Sequence, residues 1–161
     1  MISPLLVALL APAPAGPPVV VTATAPKVIL SAGQRGEVEV VATIRKGFRI
    51  QANPASQPFL VPALLEIEED ERVHIGSPEY PPGKPYRLRG TTEDLSVYAG
   101  RLVIRVPVTA RRGPGTGSSD DVLLEGRLRY QACNEEVCLR PSSVPVQVPV
   151  NLRPRPLATD R

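Results

Sequence analysis

The two cysteines of the chain, Cys133 and Cys138, lie in the stretch YQACNEEVCLRP, residues 130–141. Two thiols at this spacing can form a disulfide, contribute to a metal site or exchange electrons with another thiol protein. A structural zinc site needs four cysteine or histidine ligands, and the chain offers only one histidine, His74, besides the cysteines. We therefore predict no metal site.

The charges between the cysteines argue against a catalytic cysteine nucleophile. Such a nucleophile needs a positively charged setting that favours its thiolate. Here Glu135 and Glu136 lie between the two cysteines in sequence, and they favour the neutral thiol. The remaining alternatives are an inert disulfide and an exchanging one.

The cysteines are predicted to flank a hairpin turn. Cys133 follows a strand that ends at Tyr130, and Cys138 precedes a strand that begins near Val144, which can bring the two Cα atoms to the ~5.5 Å that a disulfide prefers. Closing so short a loop stabilises the fold by roughly 2 kcal/mol, against about 5 kcal/mol for a hundred-residue loop. A disulfide between these cysteines would therefore stabilise the fold only slightly, yet spacing alone leaves the structural and the redox interpretation equally open.

The sequence around this pair predicts strands joined by turns. Twenty prolines and twelve glycines divide the chain into short pieces, valine is abundant, and helix-forming stretches are scarce. Apolar residues alternate with polar ones in four long stretches, 38–44, 102–108, 122–130 and 144–150, and shorter strand candidates lie at 61–68, 72–75, 86–89 and 95–98. We predict one all-β domain of seven to nine strands, an immunoglobulin-like antiparallel β-sandwich, with a closed barrel as the alternative.

Charge and composition disfavour a nucleic-acid partner. The formal net charge is +3, and the basic residues are scattered among acidic ones without forming a stripe. The chain has four tyrosines, two phenylalanines and no tryptophan, which are too few aromatic side chains to form a surface on which bases or sugars stack. We predict no nucleic-acid binding.

The ends of the chain differ in composition from its middle. Residues 1–15 hold a short apolar run followed by alanines at a spacing that signal peptidase accepts, so we predict a signal peptide and a periplasmic or otherwise exported protein. The run is too short for a membrane span, which takes ~20 apolar residues. We further predict a Pro/Ala-rich linker over 16–26, the sandwich over 27–151 and a disordered tail over 152–161.

Three stretches of the chain resemble one known family. YQACNEEVCLRP, with the valine-rich strand after it, resembles the end of the N-terminal periplasmic domain of the thiol:disulfide interchange protein DsbD family. GFRIQANPASQPFLVPALLEI and YPPGKPYRLRGTTEDLSVYAGRLVIRVPV are similar to that family's early and middle segments, in the same order. The resemblance covers about 27–151 and implies an immunoglobulin-like sandwich.

The resemblance implies that Cys133 and Cys138 are a redox-active pair in a thiol:disulfide oxidoreductase, a component of a protein-disulfide reductase. The pair would accept electrons and pass them to periplasmic proteins that carry disulfides, without any cofactor. No membrane span and no thioredoxin-like C-x-x-C domain is recognised in the sequence. The electron donor would therefore be a thioredoxin-like protein or a membrane thiol transporter acting in trans.

The resemblance also implies a cap loop that shields the pair and opens for partners, with its counterpart here within 82–94. The family carries an aromatic residue over its cysteines, for which Tyr86 is the nearby candidate. Glu93 and Asp94 would stand for the acids near the family's site, and a solvated turn is the alternative for both. Tyr130 would support the cysteine turn from the strand before it.

Two other functions remain open from the residues alone. The chain could be an immunoglobulin-like binding or structural module whose disulfide is inert, in which case its reduction potential should lie well below about −300 mV. It could also be a metallochaperone that binds Cu(I) through both thiolates, because soft sulfur ligands suit that ion.

Overall fold

The computed structural model describes residues 19–111 and 120–154, and all regular structure in these two ranges is β. Nothing helical in them is long and apolar enough to cross a bilayer. The strands are β1 (Val21–Thr24), β2 (Val28–Ser31), β3 (Arg35–Ile44), β4 (Arg49–Gln51), β5 (Leu64–Ile67), β6 (Val73–Ile75), β7 (Lys84–Arg87), β8 (Asp94–Tyr98), β9 (Arg101–Ala110), β10 (Asp120–Tyr130), β11 (Ala132–Cys133) and β12 (Ser142–Arg153).

These strands form three four-stranded sheets. The strand order is β1-β3-β9-β6 in the first sheet, β2-β12-β10-β5 in the second and β11-β4-β8-β7 in the third. Neighbouring strands are antiparallel except for β2 and β12, which run parallel. The long pairs β3–β9 and β10–β12 therefore form the centres of the first and second sheets.

The two-residue alternation of the long strands explains how the first two sheets pack. In β3 and β9 every second residue is buried, whereas intervening charged residues such as Glu39 and Arg105 are exposed. β10 and β12 have the same pattern over most of their length. Successive side chains of a strand point to opposite faces, so each sheet has one apolar face, and the buried residues of both faces belong to a single core.

The third sheet lies at the end of the sandwich where the long strands turn back. β4 follows β3 along the chain, β8 precedes β9, and β11 follows β10, so this sheet takes strands from both layers. The sharp link between β8 and β9 places Gly100 at φ +67°, a conformation that glycine adopts without steric cost. Ile50, Tyr98 and Ala132 join the core from one face of the third sheet. The opposite face is free to carry the cysteines.

The predicted fold class is confirmed: the described chain is all-β and forms an immunoglobulin-like sandwich. The strand number is higher than the seven to nine expected, with twelve strands in the described residues. The additional strands are short, from two to four residues, and so few positions cannot establish an alternating pattern.

The predicted linker 16–26 is wrong for the part that the structure describes. It contains β1, which pairs with β3 from Val21 opposite Ile44 onward. Val20 and Val21 are both buried in the core. The predicted signal peptide, residues 1–15, lies outside the described residues.

The predicted tail 152–161 is wrong at its first residues. Leu152 and Arg153 are the last residues of β12, and they pair with Leu30 and Ser31 of β2. The sequence gives no sign of this pairing because β2 is short and distant in the chain. Residues 155–161 lie outside the described part.

Candidate functional site

The two cysteines form a disulfide across a tight hairpin. Cys133 is the last residue of β11 and pairs with Cys138 as an antiparallel bridge, with an S–S bond of 2.06 Å. On either side, the backbone N of Leu139 donates to the O of Ala132 at 2.7 Å, and the N of Asn134 donates to the O of Val137 at 3.0 Å. The Cα atoms are 3.9 Å apart, closer than the distance expected from the sequence, because the residues face each other at a non-hydrogen-bonded position.

Asn134 holds the turn between the cysteines. Its Oδ1 accepts hydrogen bonds from the backbone N of Glu136 at 2.9 Å and of Val137 at 2.8 Å. This is the local hydrogen bonding that makes Asn a frequent turn residue. The turn consequently presents Glu135, Glu136 and Val137 to solvent, and all three are exposed.

The two sulfur-bearing residues differ in accessibility. Cys133 has no exposed surface, because β11 lies against β4. Cys138 is only half-buried and lies in the wall of a surface groove. A molecule approaching from solvent therefore meets Cys138 and not Cys133.

Gln51, at the end of β4, contacts the disulfide from the interior of the protein. Its Nε2 lies 3.1 Å from Cys133 Sγ and 3.9 Å from Cys138 Sγ, and the residue is 0% exposed. Within the described residues its Oε1 has no hydrogen-bond partner. The sequence does not reveal this residue. In the sequence Gln51 is a polar residue between the apolar Ile50 and Ala52, and this context does not predict that its side chain is buried.

Three chain segments form the groove beside Cys138, which we call the Cys138 groove. They are the loop before β5, the turn between β7 and β8, and the cysteine turn. Residues that line the groove are Gln57, Phe59, Leu60, Leu88, Thr91, Glu93, Leu95, Gln131, Glu136, Val137 and Cys138. Phe59 is 77% exposed and Val137 is 53% exposed, so apolar side chains border the reachable sulfur. Such exposed apolar surface is typical of a site that contacts a partner.

Arg89 joins the β7–β8 turn to the cysteine turn. Its backbone N donates to the O of Glu135 at 3.1 Å. Its guanidinium lies 3.2 Å from a carboxylate oxygen of Glu135 and 3.8 Å from one of Glu136. All three side chains are at least 65% exposed, so the ion pairs are screened by solvent and contribute little to stability.

Tyr86 and Tyr130, both predicted to support the site, lie on different sides of it. The Tyr86 ring is covered by the guanidinium of Arg49, whose carbon lies 3.7 Å from the ring centroid. Arg49 is in turn the residue opposite Cys133 in the β4–β11 pair. Tyr130 ends β10 and is buried in the core, three positions before Cys133.

The two acids predicted near the site have different surroundings. Glu93 lines the Cys138 groove and accepts a hydrogen bond from Nε2 of Gln57 at 2.8 Å. Asp94 begins β8 and pairs with Arg87 across the β7–β8 hairpin at 2.8 Å. Glu93 thus lines the same groove as Cys138, whereas Asp94 is not among the residues that line it.

Tyr98 anchors the segments on both sides of the third sheet. Its hydroxyl donates to the O of Pro81 at 2.8 Å and accepts from the N of Asn53 at 3.2 Å. Burial raises the pKa of Tyr98 above its usual value, and the hydrogen bond from Asn53 opposes that shift. The neutral hydroxyl is therefore the form that the folded protein favours.

Among solved structures, the chain is similar to one from a type I cohesin–dockerin complex of Clostridium thermocellum, with 10% identity and a TM-score of 0.45 over 84% of this chain and 95% of that one. This likeness is too distant to bear on function. No curated protein matches the chain.

The family model described as "Thiol:disulfide interchange protein DsbD, N-terminal" matches residues 19–149. The match spans β1 to most of β12, and it includes the disulfide hairpin and all three segments that border the Cys138 groove. It confirms the resemblance seen in the sequence and begins ahead of it, at the residue before the buried Val20. The chain therefore belongs to the family of DsbD N-terminal domains.

Proposed function

We propose that this domain is a thiol:disulfide oxidoreductase that accepts two electrons at Cys133–Cys138 and passes them to other proteins. The observation that carries the proposal is the asymmetry of the pair: Cys138 lies in an open groove with apolar borders, whereas Cys133 is fully buried behind it. Thiol–disulfide exchange requires a thiolate to reach one sulfur in line with the bond. The groove offers that approach to Cys138.

The reaction needs only sulfur chemistry. A donor thiolate attacks Cys138 Sγ, a bond forms between the two sulfurs, and the electron pair of the Cys133–Cys138 bond leaves with Cys133 Sγ as a thiolate. A second donor thiolate then attacks the donor's own sulfur in this mixed disulfide and releases Cys138. The donor dithiol is oxidised to a disulfide, and its two electrons reside on Cys133 and Cys138.

The second half of the cycle runs the same chemistry outward. The Cys138 thiolate attacks the disulfide of an acceptor protein, and Cys133 then attacks Cys138 Sγ, which re-forms the internal disulfide and releases the acceptor as a dithiol. The family's name and the sequence's apolar start favour a periplasmic or otherwise exported protein. The donor would be a thioredoxin-like protein or a membrane thiol transporter, and the acceptors would be periplasmic disulfide-bearing proteins.

Within the groove, Glu93 and the β7–β8 turn would form the cap, with Leu88 and Thr91 beside Cys138. Tyr86 would keep Arg49 away from the sulfurs by stacking, and Tyr130 would fix the start of the hairpin from the core. Asp94 would contribute through its pair with Arg87, which holds the hairpin beneath the cap.

Single-cysteine variants test the proposal. The full chain carrying Cys133→Ser or Cys138→Ser is mixed with a thioredoxin-like protein whose attacking cysteine is activated as a mixed disulfide with thionitrobenzoate. We expect Cys133→Ser, which keeps the reachable thiol, to form the protein–protein disulfide more than about tenfold faster than Cys138→Ser. The measurement is release of thionitrobenzoate together with non-reducing electrophoresis.

The alternative of an inert bridge makes the opposite forecast. Neither variant would couple to the thioredoxin-like protein, and the wild-type disulfide would have a reduction potential well below about −300 mV. Faster coupling through Cys133 than through Cys138 would contradict the order of attack proposed here.

A further inference from the structure

Gln51 is a buried polar residue, and burying its side-chain amide is unfavourable unless the amide forms a strong hydrogen bond with a cysteine sulfur. The side chain has no exposed surface, and within the described residues its Oε1 is unpaired. Among the described residues, its Nε2 has the disulfide sulfurs as its only partners, at 3.1 Å from Cys133 and 3.9 Å from Cys138. A disulfide sulfur is a weak acceptor, so the amide gains little from this contact in the oxidised protein. Buried polar groups left poorly satisfied are costly and call for an explanation.

The backbone of Gln51 fixes the amide in this position. Its N donates to the O of Gln131 at 3.0 Å, and its O accepts from the N of Ala63 at 3.1 Å. Arg49 and Gln51 lie two residues apart on β4 and therefore share the face of the third sheet that carries Cys133. Arg49 is directed over the Tyr86 ring, which leaves Gln51 as the polar group against the sulfurs.

We propose that Gln51 acts on the exchange step itself: its Nε2 donates a hydrogen bond to Cys133 Sγ as this sulfur departs with the electron pair. The inference rests on the function proposed above, in which Cys138 is attacked and Cys133 leaves. Negative charge develops on Cys133 Sγ as the S–S bond breaks, and a hydrogen bond to an ionised acceptor is about twice as strong as one to a neutral acceptor. A donor already in place strengthens its bond at that moment without reorganisation.

The proposal separates the roles of the two cysteines. The partner's thiolate attacks at the groove, on Cys138, while the leaving sulfur receives its stabilisation from a protein group that solvent cannot reach. A better-stabilised leaving thiolate departs faster. In the outward half of the cycle the same hydrogen bond keeps a fraction of Cys133 ionised, ready to attack Cys138.

The test compares ionisation of Cys133 with and without the amide. In full-length chains carrying Cys138→Ser, the thiolate absorbance of Cys133 is followed against pH with Gln51 intact and with Gln51→Met, which keeps the length but has no N–H. We expect the substitution to lower the acid dissociation constant of the thiol by about tenfold. With both cysteines present, Gln51→Met should slow reduction of the disulfide by dithiothreitol roughly three- to tenfold.

Charged groups around the hairpin do not differ between the compared chains. They are Arg49 on β4, Arg89 and Glu93 in the β7–β8 turn, and Glu135 and Glu136 in the cysteine turn. Their effect on Cys133 ionisation cancels in the comparison, so the difference reports the amide.

Two further variants complete the design. Gln147→Met makes the same substitution on the exposed face of β12 and should change neither the ionisation of Cys133 nor the reduction rate. Gln51→Glu keeps the side-chain shape should Gln51→Met fail to fold, and its carboxylate should disfavour the Cys133 thiolate still more strongly. Unchanged ionisation of Cys133 in either Gln51 variant would overturn the proposal.

The outcome is separable from that of the proposed function. Ionisation is measured on the full-length chain with no partner protein, so it decides the role of Gln51 even if no thioredoxin-like protein couples to Cys138. Conversely, if a thioredoxin-like protein couples efficiently to Cys138 while the ionisation of Cys133 does not depend on Gln51, the proposed function stands and only this inference fails.

Discussion

At the scale of single residues, the Tyr98 hydroxyl links two segments that flank the site. It is 6% exposed, and its two hydrogen bonds tie Pro81, before β7, to Asn53, after β4. Burial raises the pKa of Tyr98, and burial likewise raises that of Tyr80. The folded protein thus keeps both phenols neutral at pH values where an unfolded chain would begin to lose their protons.

We predict that Tyr98→Phe makes the protein less stable at pH 8 and less sensitive to alkali. Two hydrogen bonds are lost and two backbone groups are left without the hydroxyl, for a loss of about 1–3 kcal/mol. Because the folded pKa is raised, the stabilisation is complete below about pH 10, where the unfolded phenol ionises, and declines as pH rises through the folded pKa. Urea unfolding at pH 8 to 11 should therefore show a shallower decline in Tyr98→Phe than in the wild type.

Tyr86→Phe is the matched control for this prediction. It removes a phenol from the same sheet while keeping the ring under Arg49, so stability at pH 8 should change by less than about 0.5 kcal/mol. An equally steep alkaline decline in Tyr98→Phe and wild type would show that other groups govern unfolding there.

Residue types explain which parts of the site could be predicted. Cysteine is rare and chemically distinctive, so Cys133 and Cys138 could be singled out as candidates from residue type and spacing, which left their role open. The position of Gln51 against the disulfide could not be predicted, because its burial depends on the placement of β11 and β8 on either side of β4. The sequence does not show whether the side chain of a glutamine is exposed to solvent or buried against a sulfur atom.

At the scale of elements, the β7–β8 turn forms one wall of the Cys138 groove. The turn runs between the paired residues Arg87 and Asp94, and its Leu88, Thr91 and Glu93 line the groove. Among the described residues, its polar contacts with the cysteine turn are one backbone hydrogen bond and exposed ion pairs. If the turn is the cap proposed above, so weakly held an element would open at low free-energy cost.

We predict that replacing residues 88–93 by Asn-Gly speeds reduction of the disulfide. A two-residue hairpin turn of this type can join Arg87 to Asp94 without disturbing their pairing, so β7 and β8 should remain. With one wall of the groove removed, glutathione should reduce the disulfide roughly three- to tenfold faster. The rate is measured by trapping free thiols at intervals in native buffer.

Arg89→Ala is the control for the turn replacement. It removes only exposed ion pairs, which contribute at most about 1 kcal/mol, and should leave the reduction rate within about twofold of the wild type. A shortened turn that leaves reduction equally slow would mean that the turn does not shield Cys138.

The same scale explains why some strands could be predicted and others could not. β3, β9, β10 and β12 each have ten or more residues, and their alternation is clear in the sequence. β4 and β11 have three and two residues, and their strand geometry comes from pairing with each other across more than eighty positions of chain. Tertiary pairing, rather than local preference, creates the sheet that carries the site.

At the scale of the whole molecule, the N-terminal segment joins the edges of both layers. β1 extends the first sheet beside β3, and β2 extends the second sheet beside β12. Between them Lys27 pairs with Asp121 at 2.9 Å, and hydrogen bonding to Lys27 lowers the pKa of that carboxyl. Composition placed the start of the folded unit between these two strands, at Lys27, whereas the structure begins the first layer with β1.

We predict that a chain beginning at Lys27 is substantially less stable than one beginning at Val19. The shorter chain loses the burial of Val20 and Val21, worth about 1.5–3 kcal/mol for each side chain, and the pairing of β1 with β3. We expect a loss of at least about 3 kcal/mol in the free energy of unfolding, measured by urea denaturation followed by far-ultraviolet circular dichroism. The exposed edge of β3 should also promote association, which sedimentation would detect.

Val21→Thr in the chain that begins at Val19 separates the effect of lost apolar burial from the effect of the missing β1 strand. It keeps the β1 backbone and its shape but buries a hydroxyl in the core, at about 1–3 kcal/mol, without exposing the edge of β3. A loss of stability without association would assign the association of the shorter chain to the missing strand. If chains beginning at Val19 and at Lys27 unfold at the same urea concentration, β1 is not part of the stable sandwich, and the domain begins where composition alone placed it.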